Sequence, residues 1–189
     1  MKNDLTSPVR VRIADQEDAE SIAGVINSAF RRAEGFFIDT DRIDVASVLN
    51  FLATGKFLLA ESEGLVLGCV YVEPGPLDNG RAYLGLLAID PARQNSGLGS
   101  MLMDAAEDYC RRQSCSFIDI KVVNLRKELS GFYHKRGYIE TGTSPFPTDL
   151  ETKLRVHFID MSKELRAKSK ELRAKSSPLL LALSSLLPC

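Results

Sequence analysis

Apolar and charged residues alternate through VRVRI (residues 9–13), a period of two that predicts a half-buried strand. From Asp15, which can cap a helix N-terminus, the period lengthens. Ala19, Ile22, Ala23, Ile26, Ala29 and Phe30 share one face and predict a helix to about Arg32. Val45, Val48, Leu49 and Leu52 repeat that spacing over roughly 42–53, and Gly55 closes the second helix. FLLAESEGLVLGCVYVE reads as two strands about a Glu63-Gly64 turn, and EPGPLDNGR as a loop. A strand over 81–90, a helix from 97 to about 113, the strand SFIDIKVV (116–123), a helix over 127–136 and the strands YIETG and KLRVHFI complete the pattern. The order β, α, α, β, β, β, α, β, α, β, β mixes hairpins with crossovers. It predicts an α+β (mixed α/β) sheet with helices packed on it, not an all-parallel doubly wound sheet.

The end of the chain breaks from this pattern. SKELRAK stands at 162–168 and again at 169–175, followed by SSPLLLALSSLLPC. Leu165 and Leu172 lie one heptad apart among charged residues, which reads as a solvated helical or disordered appendage over 162–189 after a domain over 1–161. On that reading, removal of everything beyond Met161 leaves the fold intact.

Composition adds limits. The chain has 189 residues, 44% hydrophobic and 26% charged, enough to bury one sizeable core. A net charge of -1 supplies no broad positive field for nucleic acid or anionic lipid. No segment approaches the ~20 apolar residues that span a bilayer, and MKNDLTSPVRVR lacks the apolar stretch of a signal peptide, so the expected location is cytoplasmic. Cys69, Cys110, Cys115 and Cys189 show no metal-ligand spacing and read as reduced thiols; no metal is expected.

The candidate chemistry begins at ARQNSGLGSML (92–102), where a strand becomes a helix. A helix N-terminus offers unpaired N–H groups and a partial positive charge, and glycine there lets an anion approach the backbone, so phosphate is the expected ligand. A Walker loop would need Gly-Lys-Ser/Thr after a glycine and four residues, and the chain has no such string. A dinucleotide fingerprint would use Gly97 and Gly99, with Asp119 about 20 residues on, but its third small position falls on Leu102.

A third option rests on two motifs. LLAIDPARQNSGLGSMLM and GFYHKRGYIETG resemble the pyrophosphate loop and the later tyrosine helix of the GNAT superfamily of acetyl-CoA-dependent N-acetyltransferases. The resemblance covers roughly residues 9–160. It implies an acyl-CoA N-acyltransferase fold, with a mixed sheet of about seven strands flanked by about four helices. It implies that Gln94, Asn95, Ser96, Gly97, Leu98, Gly99 and Ser100 face the pyrophosphate, and that the backbone of Leu87, Ala88 and Ile89 pairs with the pantetheine arm. Asn95 stands where relatives often carry Gly, a substitution asparagine tolerates because it accepts left-handed backbone angles. Asn124 is implied to hydrogen-bond the pantetheine, although an Asn ending a strand also serves as a plain turn residue. Tyr133 is implied to protonate the departing thiolate.

The resemblance further implies acetyl-CoA as co-substrate, without metal, and direct attack by a primary amine in a ternary complex. A non-catalytic acyl-CoA-binding module is the alternative. Glu73, at the end of GCVYVE, is the candidate base, directly or through water; His134 and His157 read as solvated. In this fold the acceptor lies between the first helices and the last strands, which points to RRAEGFFIDTDRID, with Glu34, Asp39, Asp41 and Asp44 beside Phe36 and Phe37, and to GTSPFPTDLE. The acceptor stays open among polyamine, amino acid, antibiotic, peptide N-terminus and protein lysine. A second copy of the chain is admitted as a partner.

Overall fold

A computed structural model describes residues 8–76, 79–147 and 151–165. The strands are β1 (Arg10–Ile13), β2 (Lys56–Ser62), β3 (Leu65–Pro74), β4 (Arg81–Ile89), β5 (Phe117–Val123), β6 (Ile139–Pro145) and β7 (His157–Glu164). The helices are α1 (Ala19–Glu34), α2 (Val45–Thr54), α3 (Leu98–Arg112) and α4 (Lys127–Lys135), in the order the hydrophobic pattern predicts. All seven strands form one sheet in the order β1-β2-β3-β4-β5-β7-β6. Only β4 and β5 run parallel; every other neighbouring pair is antiparallel. The α+β fold class holds.

The sheet is a shared wall between two cores. In KFLLAES of β2, Phe57 and Leu59 pack with α1 and α2 on one face, while Leu58 and Ala60 pack with α3 on the other. Cys69 and Tyr71 of β3 divide from Val70 and Val72 in the same way. Successive residues buried on opposite faces account for the near-continuous apolar run, which is why these strands do not alternate as β1 does. Glu63 and Gly64 take φ of 52° and 76°, the two left-handed residues that a tight hairpin turn requires. Cys69, Cys110 and Cys115 are buried free thiols.

The last strand departs from expectation. KLRVHFI was expected to carry it, but β7 starts at His157 and runs through Glu164, into the first SKELRAK copy. Ser162, Lys163 and Glu164 pair with Asp119, Ile118 and Phe117, and Leu165 is buried in the core on the α3 side. The ladder with β5 outweighs the heptad pattern, and the buried Glu107 of α3 supplies a second anchor. Both its carboxylate oxygens accept from Lys163 Nζ at 2.8 Å. The expected boundary after residue 161 therefore cuts through a strand, while Leu172 and the apolar tail lie outside the described residues.

One break in the sheet positions everything that follows. β4 and β5 pair only from Arg81↔Phe117 to Leu84↔Ile120, and beyond that the ladder stops although both strands continue. The register of β4 against β3 slips between Cys69 and Tyr71, opposite Leu86, which takes φ of 50°. A β-bulge bends its strand and re-aims the residues after it. Here it turns the end of β4 away from β5 and opens a wedge between two parallel strands.

Candidate active site

The wedge widens into a cleft of about 710 Å³, walled by β4, β5, the loop before α3, the end of α1 and one side of α4. Its first functional element is the loop. Asp90 accepts from Ala92 N at 2.8 Å and closes the turn Pro91–Arg93. Asn95 and Gly97 follow at φ of 63° and 87°, so the asparagine adopts the left-handed angle that the substitution for glycine demands. Gly97 caps α3 without a side-chain hydrogen bond, and no acidic residue stands in the first turn. The first N–H groups of α3 thus point out of the helix with no carboxylate competing for them, a ready site for an anion.

Of the residues expected here, Gln94, Asn95, Gly97, Leu98, Gly99 and Ser100 line the cleft. Ser96 does not; its hydroxyl donates back to Arg93 O at 2.6 Å and stiffens the turn. Leu87, Ala88 and Ile89 line the cleft along the unpaired end of β4, where peptide groups without a β5 partner can serve an extended ligand.

Asn124 is committed elsewhere: its Oδ1 accepts from His157 N at 3.1 Å and its own N donates to His157 O at 3.0 Å. It ties the end of β5 to the start of β7 and does not line the cleft. Glu73 sits at the far end of β3, where its carboxylate accepts from the Tyr71 hydroxyl at 2.9 Å; it also lies off the cleft wall. Any contact with a bound amine would run through water or through Tyr83, its partner across the β3–β4 ladder.

Tyr133 projects from α4 into the cleft wall, only 7% exposed. Its ring packs edge-on against Phe132 at 5.2 Å and Tyr138 at 5.6 Å, which fixes its direction. Burial pushes its phenol up to about 12, so the group stays protonated throughout the neutral range. His134 is exposed and faces Glu140 at 3.7 Å; His157 is exposed at the strand start.

At the opposite end of the cleft the acidic loop separates into distinct roles. Asp44 caps α2 by accepting from Ser47 N at 2.8 Å, Asp41 pairs with Arg31, and Asp39 pairs with Lys153. Phe37 is fully buried beside Phe146, and Phe36 is exposed. Glu34 alone of these acids lines the cleft. It is 3% exposed, its Oε1 lies 3.5 Å from Arg126, and its Oε2 has no partner. Desolvation raises its carboxyl above the usual range, against the opposing charges of Arg42 and Arg126.

Arg42 and Arg126 are cleft residues that the sequence pattern did not single out. Glu34 did carry a signal, because it continues the Ile22–Ile26–Phe30 stripe and so places a carboxylate on the apolar face of α1. Among the described residues no cluster of His, Cys, Asp and Glu is built to hold a metal, and no helix is long and apolar enough to cross a membrane.

The family model of the acetyltransferase (GNAT) family matches residues 18–138, more than half of the chain. The chain belongs to that family. No curated protein matches it significantly. Among solved structures it is similar to an acetyltransferase of the GNAT family from Staphylococcus aureus Mu50, with a TM-score of 0.67 and 21% identity over 84% of this chain and 100% of that one. The ribosomal-protein-S18-alanine N-acetyltransferase from Escherichia coli gives 0.68 and 13% over 85% and 96%. The Salmonella typhimurium protein yncA, solved with its cofactor acetyl-CoA, gives 0.67 and 21% over 85% and 96%. At these identities the likeness establishes the fold.

Proposed function

We propose that the chain transfers the acetyl group of acetyl-CoA to a primary amine, with both substrates held together in the cleft between β4 and β5. One observation carries this reading. A loop of free helix N–H groups, a strand end with no partner on its β5 side and a buried, protonated tyrosine all open onto one cleft. On this reading a pyrophosphate sits at Gln94–Ser100, an extended arm along Leu87–Ile89 and a sulfur near Tyr133, all of which except Ser96 line the cleft.

The chemistry then balances without metal. The amine nitrogen bonds to the thioester carbonyl carbon, the C–S bond breaks, and the nitrogen gives up its proton to solvent or a base. Tyr133 passes its proton to the departing sulfur and regains one from water. A thiolate with a reference pKa near 8.5 is a modest leaving group, so a donor aimed at the sulfur is useful even though a phenol near 12 holds its proton tightly. The acceptor must be neutral to attack. A lysine-like amine is neutral in only about one molecule per few thousand at pH 7, against about one in ten for an α-amino group, so the demand for a base depends on the acceptor.

The test is a panel of amines with acetyl-CoA and a thiol-detecting reagent. CoA release that depends on one acceptor class is expected. Tight binding of acetyl-CoA with no release for any amine would replace the transferase with a non-catalytic acyl-CoA-binding module.

A further inference from the structure

The amine end of the cleft carries two groups that the fold leaves incompletely paired. Glu34 is almost wholly buried, lines the cleft, and its Oε2 has no hydrogen-bond partner. A carboxylate oxygen withdrawn from water is costly unless something pairs with it. Arg126 does not fill this need: it faces Oε1, and its Nε is engaged by Glu128 at 2.5 Å.

Arg42 is the opposite case. Its guanidinium lies over the rings of Phe30 at 5.3 Å and Phe146 at 5.8 Å, which hold it from two sides. It lines the same cleft, and among the described residues it makes no ion pair and no hydrogen bond to a side chain. Glu34 and Arg42 feel each other electrostatically but form no ion pair. A planar guanidinium braced by aromatic faces is the arrangement that recognises a carboxylate.

Resting on the acetyl-transfer reading above, we infer that the acceptor is a small zwitterion, an amino acid with a free carboxylate, which sets its ammonium group against Glu34 and its carboxylate against Arg42. The pattern selects against the alternatives. A polyamine would bring a second positive charge to Arg42. A protein lysine, or a peptide N-terminus without an acidic first residue, has no carboxylate close to its amine and would leave the guanidinium unpaired in a partly desolvated site. Only a molecule with both charges satisfies both ends.

The experiment compares α-, β- and γ-amino acids with their carboxamides and their decarboxylated amines, by CoA release from acetyl-CoA, in wild type, Arg42→Ala and Arg42→Lys. In wild type, kcat/KM for the preferred amino acid should exceed that of its carboxamide by roughly 10- to 100-fold, the worth of one charge-assisted pair. Arg42→Ala should bring that ratio close to one, chiefly through KM, and Arg42→Lys should restore part of it. An unchanged dissociation constant for acetyl-CoA reports that each variant is folded. Carboxamides or decarboxylated amines that match the amino acids, or a preference that survives Arg42→Ala, would overturn the zwitterion assignment and leave acetyl transfer standing. Release with no member of this panel, while acetyl-CoA binds, would overturn the zwitterion assignment; silence with the wider panel of amines as well would overturn acetyl transfer too.

Discussion

Gly99 offers a perturbation whose effects on folding and on binding point in opposite directions. It is the second residue of α3, and a Cβ built there meets only Ile89 Cγ1 at 4.0 Å, ordinary contact. The first turn contains no acidic residue. Gly99→Glu therefore replaces a poor helix former and adds a negative charge where the helix dipole favours one, together about 1 kcal/mol of stabilisation. That predicts a melting temperature raised by ~2–4 °C for a chain of this size.

Binding should move the other way. A carboxylate ~4 Å from a phosphate costs about 4 kcal/mol at an effective dielectric of 20. Even if the side chain swings aside and escapes most of this, a loss of 1.4 kcal/mol lowers affinity tenfold. The assay is calorimetric titration with acetyl-CoA and, as a control, with acetylpantetheine, which lacks the pyrophosphate. Acetyl-CoA affinity should fall at least tenfold in the stabilised variant and acetylpantetheine affinity should not. An acetyl-CoA dissociation constant within twofold of wild type would refute the assignment of this loop to the pyrophosphate.

Truncation after Met161 separates strand from appendage. It removes Lys163 from the buried Glu107 and Leu165 from the core, so it should cost at least ~3 kcal/mol and lower the melting temperature by ~6 °C or more; an unchanged melt would mean that residues beyond 161 do not belong to the fold. High pH provides another test, because burial raises Tyr71, Tyr133 and Tyr138, the first two to about 12. The folded state then keeps protons that the unfolded state releases above pH ~10. Stability is fully present below that pH and falls as pH rises towards ~12, by up to about 1.4 kcal/mol per unit for each group. Urea unfolding at about pH 9 and pH 11, followed beside phenolate absorbance, should show the ionisation of these three tyrosines appearing together with unfolding. Ionisation of all five tyrosines near pH 10 in a chain that stays folded would contradict this.

What could be read from the residues, and what could not, divides on physical grounds. Helix faces and buried strands follow from hydrophobic period, so α1, α3 and the β2–β3 hairpin were legible with their turn. The glycine loop was legible because backbone geometry constrains residue type, and at Asn95 the family resemblance, with asparagine's tolerance of left-handed angles, anticipated a φ of 63°. Leu86 at φ of 50° is the reverse, since no local preference puts leucine there; the bulge is imposed by the sheet around it. Glu34 and Arg42 lie in RRAEGFFIDTDRID and Arg126 in a separate loop, and only tertiary packing brings the two arginines to the Glu34 carboxylate at one end of a cleft. Ser162–Glu164 show a repeated motif overruled by a strand ladder.

The central claim is that acetyl transfer takes place in this cleft with Tyr133 at the leaving sulfur, and Tyr133→Phe tests it most directly. The change keeps the ring and its edge-on contacts with Phe132 and Tyr138 and removes only the hydroxyl. The measurement is kcat at saturating acceptor, under conditions in which chemistry limits the rate, beside the acetyl-CoA dissociation constant. General acid catalysis is worth ~10²–10⁴-fold, so kcat should fall by at least ~10²-fold while the dissociation constant stays within about twofold. A variant that keeps a third or more of the wild-type kcat would contradict the account and leave Tyr133 a packing residue, with water as the proton donor.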